Sequence, residues 1–190
     1  MQQILSHPPT IDTARLTLRP LSMADDEDIF EYESDPEVTK YVTFETGKVI
    51  DDARIFITSV LDNYARGSEP ACLGIVLKNE NKLIGTIGYL SWSAVHKRVE
   101  LGYVLSQPYW NKGYVSEAAK AMVNYLFCNT DLIRIEAKCR VENIRSAHVL
   151  EKIGMQYEGI LRKHVFIKGE HWDLKIYSIL RDEWERENNY

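Results

Sequence analysis

Between Arg98 and Val141 the apolar period switches from two to about 3.6 and back, and this switch constrains the chain more than any other feature. Arg98 to Leu105 reads as a strand. It must end or splay at Ser106-Gln107-Pro108, because Pro108 lacks an N–H and holds Gln107 extended. After Gly113, the residues Val115, Ala118, Ala119, Met122 and Leu126 share one helical face while Glu117, Lys120 and Asn124 take the other. Ile133, Ile135, Ala137, Cys139 and Val141 then alternate strictly with Arg134, Glu136, Lys138 and Arg140. The segment is a strand, helix, strand unit.

The flanking sequence supplies further elements. Arg15 to Leu21 alternates as a short strand in which Pro20 bars a central ladder position, and Ser22 reads as a helix N-cap. Asp25, Asp26 and Glu27 fall in the first turn that follows, where acids complement the helix dipole. Ile50, Ala53, Ile57, Val60, Leu61 and Tyr64 mark a second amphipathic helix from Val49 to Tyr64. Ala71 to Lys78 and Lys82 to Leu90 form a hairpin around Asn79-Glu80-Asn81. Helix character resumes from Asn143 to Ile153 and stops at Gly154. Val165 to Ile167 and His171 to Leu180 close the chain as a hairpin around Lys168-Gly169-Glu170. No repeat, linker or charge block divides the 190 residues, so one domain is expected over 1–190, with its core at about 11–181.

Charge and cysteine usage narrow the function classes. Lys plus Arg total 23 against 28 Asp plus Glu, a net charge of −5, which lacks the basic footprint of a nucleic-acid binder. Cys72, Cys128 and Cys139 form neither an even set nor a Cys-x-x-Cys pair and read as buried, reduced thiols. The first thirty residues carry no basic segment followed by an apolar one, and no apolar run approaches the ~20 residues that span a bilayer. A cytoplasmic protein without membrane contact is expected. His96, His148, His164 and His171 have no metal-ligand spacing, and no Gly-x-Ser-x-Gly elbow occurs.

The most informative stretch joins the strand end to the helix start: Ser106-Gln107-Pro108-Tyr109-Trp110-Asn111-Lys112-Gly113-Tyr114-Val115-Ser116-Glu117. N–H groups at a helix N-terminus lack intrahelical acceptors, and Gly113 carries no side chain to keep a phosphate away from them. The same residues also fit a turn glycine beside a solvated Lys112. Neither the nucleoside-triphosphate loop nor the dinucleotide fingerprint is present.

Combined with Asn143-Ile144-Arg145-Ser146 and the ending Glu151-Lys152-Ile153-Gly154-Met155, this stretch resembles the GNAT superfamily of acyl-CoA-dependent N-acetyltransferases. The chain most resembles the branch that acetylates the N-termini of ribosomal proteins, from about Ile11 to about Arg181. The resemblance implies an α/β (α+β) GNAT fold: a mixed, mostly antiparallel central sheet, splayed at the cofactor site, with helices on both faces. It also implies acetyl-CoA as co-substrate, without a metal. The pantetheine arm would lie along Val104 and Leu105, and Asn111, Lys112, Gly113, Tyr114, Val115 and Ser116 would hold the diphosphate. Asn143 would bond the pantetheine or thioester region, although its place before Ile144 equally suits a helix cap. The superfamily's loop usually has Gln or Arg where Trp110 stands and Gly or Ala where Val115 stands.

Acetyl transfer to an amine requires a neutral nucleophile, a polarised carbonyl and a proton for the thiolate. Glu100 is the candidate base. It shares a strand face with Gly102 and Val104, and Gly102 is expected to open space beside it; a solvent-facing cross-strand pair is the alternative. Ser146, one turn after Asn143, is the candidate acid, because no tyrosine lies between Asn143 and Gly154; back-bonding to the preceding turn is its alternative. Tyr103, on the opposite strand face, is assigned to the core. The expected partner is a primary amine, with a ribosomal-protein N-terminus suited to the net negative charge and no direct nucleic-acid contact. A small-molecule amine such as an antibiotic or amino acid is the alternative acceptor, and a degenerate acyl-CoA-binding module the alternative function. Phe166, Trp172 and Tyr177 in the closing hairpin fit strand packing or a homodimer edge.

Overall fold

A computed structural model describes residues 7–69 and 71–188. The N-terminal part holds β1 (Ile11–Asp12), β2 (Leu16–Pro20), a 3-10 turn (Met23–Asp25), α1 (Asp26–Glu33), α2 (Pro36–Thr39) and α3 (Ile50–Arg66). The centre holds β3 (Ala71–Leu77), β4 (Lys82–Ser93), β5 (Arg98–Leu105), α4 (Tyr114–Asn129) and β6 (Arg134–Arg140). It closes with α5 (Ile144–Lys152), β7 (Gln156–Ile167), β8 (Glu170–Leu180) and α6 (Arg181–Asn188).

The eight strands among the described residues form one sheet in the order β1-β2-β3-β4-β5-β6-β8-β7. Every neighbouring pair is antiparallel except β5 with β6, whose parallel ladder has only the rungs Arg98 to Arg134, Val99 to Ile135 and Glu100 to Glu136. Beyond Glu100, β5 stays on β4 up to Leu105, while β6 stays on β8 up to Arg140. The sheet therefore opens as a V, and residues 101–105 face the opening with backbone groups that no β6 rung occupies. This is the splay expected from the sequence, but its cause is the divergence of β6 rather than Pro108.

Leu16, Leu18, Ile75, Ile87, Val99, Ile135 and Ala137 lie in the core with Ala118, Met122 and Leu126 of α4. Burying each aliphatic side chain contributes about 1.5–3 kcal/mol, so this layer fixes where α4 begins and where its N-terminus points.

Several expectations change. Asp25 does not serve only the helix dipole: Arg19 clamps it through two bonds of 2.9 and 2.6 Å, and the Ser22 backbone N–H donates to it at 2.7 Å. Asp26 pairs with Arg54 at 2.8 Å. Of the three cysteines only Cys139 is buried; Cys72 is half-buried and Cys128 exposed. A Cβ at Gly102 would stand 2.6 Å from Leu90 Cδ1, so the space expected beside Glu100 is filled by Leu90. No described helix is long and apolar enough to cross a membrane.

Candidate active site

The turn from β5 into α4 is built by residues that tie its ends to the rest of the fold. Trp110 Nε1 donates to the carbonyl of Leu105 at 2.8 Å, folding the loop back on the strand end. Asn111 (φ 60°) and Gly113 (φ 79°) take left-handed conformations, and Gly113 caps α4. Glu117, in the first turn of α4, is held by Thr13 Oγ at 2.7 Å, the Arg15 backbone N–H at 2.8 Å and Arg15 Nε at 2.6 Å. These contacts and its neighbouring charge hold the Glu117 carboxyl below its ordinary value despite partial burial. The start of α4, whose first N–H groups have no intrahelical acceptor, is thereby held in one place.

That place is the floor of a cavity of about 530 Å³. Val104 and Leu105 line it, together with Asn111, Gly113, Tyr114, Val115, Ser116, Asn143 and Ser146. Lys112 does not: its ammonium lies over the Tyr109 ring at 5.4 Å, and its carbonyl accepts from Arg15 at 3.0 Å. Val115 also packs into the core, so the methyl groups that distinguish it from Gly or Ala are largely absorbed there. Asn143 caps α5 by accepting from the Ser146 N–H at 3.1 Å while lining the cavity, so its capping and cavity-facing readings coexist. The opposite wall comes from Glu37, Val38, Lys40, Tyr41 and Val42, in and after α2. Nothing local in the sequence of this segment signals its proximity to β5.

Tyr103 is not merely core. Its odd position on β5 turns it toward α5, where its hydroxyl lies 2.9 Å from Ser146 Oγ and 3.3 Å from the Ser146 carbonyl. Burial raises the Tyr103 phenol well above its ordinary value, and the bond to Ser146 offsets only part of that. Tyr103 therefore stays protonated and can donate at neutral pH. The Cys139 thiol is raised by burial in the same way, with the Ser146 hydroxyl acting against the shift. Strand parity gave the face of Tyr103 but not its partner, because the contact with Ser146 joins two elements that only the packing brings together.

Glu100 occupies the last rung before the strands part, on the face it shares with Val104, but it does not line the cavity. Its carboxylate is 2.5 Å from Lys138 Nζ, and Lys138 also reaches the buried Glu136 at 3.4 Å. Accepting a proton there requires the Lys138 contact to yield. No group of three or more His, Cys, Asp or Glu among the described residues is arranged to hold a metal ion.

A thioester of coenzyme A fits these residues: a strand edge open between β5 and β6, a capped loop free of side chain at Gly113, and α4 N–H groups facing a common floor. Comparison with known proteins agrees. Residues 15–156 match the family described as the acetyltransferase (GNAT) domain. An uncharacterized N-acetyltransferase of Bacillus subtilis strain 168, YnaD, is 38% identical over 92% of this chain and 98% of its own. A solved acetyltransferase of the GNAT family from Bacillus anthracis is 36% identical, with a TM-score of 0.81 over 92% of this chain and 99% of that one. A ribosomal-protein-serine acetyltransferase of Escherichia coli is 30% identical over 54% of this chain and 58% of its own. With the splayed sheet, the loop before α4 and these matches together, the chain belongs to the GNAT family and is an acetyl-CoA-dependent N-acetyltransferase.

Proposed function

We propose that this enzyme acetylates a primary amine by direct attack on the thioester, with Ser146, oriented by Tyr103, giving its proton to the departing sulfur and taking back the last proton that the attacking nitrogen loses. Acetyl-CoA supplies the activated acetyl group. The observation that carries the reading is the 2.9 Å pair between Tyr103 and Ser146 on the cavity wall beside the opening of the sheet. A tyrosine donating to the serine oxygen leaves the serine proton free to point at the sulfur. Asn111, Lys112, Gly113, Tyr114, Val115 and Ser116 hold the diphosphate in this reading, Lys112 through its backbone; Val104, Leu105 and Asn143 hold the pantetheine arm. Glu100 takes the amine proton through water on the other face of β5, with Lys138 shifting to Glu136 as it does so.

The acceptor we assign is a protein N-terminus of the ribosomal class. Support comes from the partial similarity to a ribosomal-protein-serine acetyltransferase and from the net charge of −5, which suits a basic protein. One observation favours a smaller amine instead: Lys168, at the β7–β8 turn, donates to the Thr39 carbonyl at 2.5 Å and so ties that turn to the segment whose Val38 and Lys40 line the cavity. Thiol release measured against ribosomal-protein N-terminal peptides, amino acids and aminoglycoside antibiotics decides between them. Turnover confined to the small amines overturns the protein acceptor, and no turnover with any of the three classes despite cofactor binding overturns both acceptor assignments. Of the three aromatics read as strand packing or a homodimer edge, Trp172 and Tyr177 are buried and serve packing, while Phe166 is exposed on edge strand β7; that edge is the surface we assign to a homodimer, to be checked by light scattering.

A further inference from the structure

The charged side chains around the cavity differ in whether they are already paired. Arg15, closest to Gly113, is committed to Glu117 through a 2.6 Å salt bridge. Arg145, at the start of α5, forms no salt bridge or hydrogen bond among the described residues, yet it lines the cavity. Its guanidinium lies 4.7 Å from the centroid of the Trp110 ring. Trp110 is itself fixed, because its indole N–H is bonded to Leu105 at the end of β5. The indole is thus a rigid platform that holds a planar cation, with its N–H donors unspent, next to the loop that opens α4. Among the described residues the wall carries Lys40, Arg145 and Lys152 against a single acid, Glu37, although the chain as a whole is acidic.

We propose that Arg145, stacked on Trp110, is a diphosphate-binding residue of the cofactor site, adding a charged donor from α5 to the N–H groups of α4. The inference rests on the acetyl-CoA reading above. A guanidinium presents paired donors that match two phosphate oxygens, and a flat aromatic support restricts it to the orientation in which both are offered. Neither Lys40 nor Lys152 has such a support, since Lys40 stacks only on its neighbour Tyr41 and Lys152 on no ring.

Calorimetric titration of free coenzyme A, dephospho-coenzyme A and pantetheine into the full chain and its variants tests this without turnover. Arg145→Ala is expected to weaken coenzyme A and dephospho-coenzyme A by the same factor, about ten- to a hundred-fold, and to leave pantetheine unchanged. Arg145→Lys keeps the charge but loses the planar fork, and should fall between wild type and alanine. Trp110→Leu should reproduce most of the Arg145→Ala loss, and adding Arg145→Ala to it should cost little more. Equal affinities in wild type and Arg145→Ala overturn the proposal. So does a loss seen with coenzyme A but not dephospho-coenzyme A, which would move Arg145 to the 3′-phosphate. Failure of the wild type to bind coenzyme A at all would instead overturn the acetyl-CoA reading itself.

Discussion

The Tyr103 hydroxyl and Ser146 Oγ meet at 2.9 Å across the gap between β5 and α5. One residue comes from a strand that has just lost its neighbour, the other from the helix that begins beyond the facing strand. Removing either should therefore affect proton delivery more than cofactor binding. Ser146→Ala is expected to lower kcat by about 10²-fold and Tyr103→Phe by roughly ten-fold, with the KM for acetyl-CoA nearly unchanged. The double variant should be no slower than Ser146→Ala, because the two act as one unit. Additive losses in steady-state thiol release would show that they act separately.

Glu100 and Lys138 separate a catalytic from a structural carboxylate. If Glu100 takes the amine proton, Glu100→Gln lowers kcat by about 10²-fold at neutral pH and leaves coenzyme A affinity intact. Lys138→Met should cost roughly 1–3 kcal/mol in urea unfolding, since it strips a partner from both Glu100 and the buried Glu136. A Glu100→Gln enzyme that keeps its kcat but loses comparable stability places Glu100 in the ion pair alone.

Gly113 is a backbone requirement rather than a packing one. A Cβ there would meet only Arg15 Nη2 at 3.5 Å, an ordinary contact, but at φ +79°. Gly113→Ala should therefore destabilise by about 1–2 kcal/mol through the left-handed backbone. It should also weaken coenzyme A binding, because relaxing that backbone re-aims the first N–H groups of α4. Urea denaturation and titration of the same variant measure both effects.

Glu33, buried at the end of α1, has its carboxyl pushed from an ordinary 4.5 up to about 7, by burial first and by the Asp52 charge second. The folded state then binds more protons than the unfolded one between those values. Stability is highest below about pH 4.5, so far as this group is concerned, and falls as pH rises through about 7, by on the order of 3 kcal/mol in all. Glu33→Gln should raise the melting temperature at pH 8 by several degrees and give no gain near pH 4.5. A pH-independent difference between the two proteins would contradict this.

Local periodicity was sufficient for α4, α5, β5 and β6, because the apolar residues of each recur on one face at a fixed interval, although β6 also buries the charged Glu136 on its other face. β7 runs from Gln156, well before the Val165 start read from alternation, since irregularities between Tyr157 and Gly159 and between Leu161 and Val165 break the period of two. The four-residue α2 and the terminal α6 carry too few turns for a periodic signal, and α6 is held mainly by docking of the buried Trp184.

The combined motifs resemble the GNAT superfamily, but what the sequence by itself determined is that a strand ends at a glycine-capped helix and that an Asn-x-x-Ser helix follows the next strand. Those are local facts of spacing and capping. The tertiary structure decided how the pieces meet: β6 leaves β5 after three rungs, Tyr103 reaches Ser146, Lys138 claims Glu100, and Arg145 settles on Trp110. Each joins residues far apart in the chain or on different elements. Spacing along one strand or helix gives the face a side chain takes, but only the packing of elements against one another decides what it finds there.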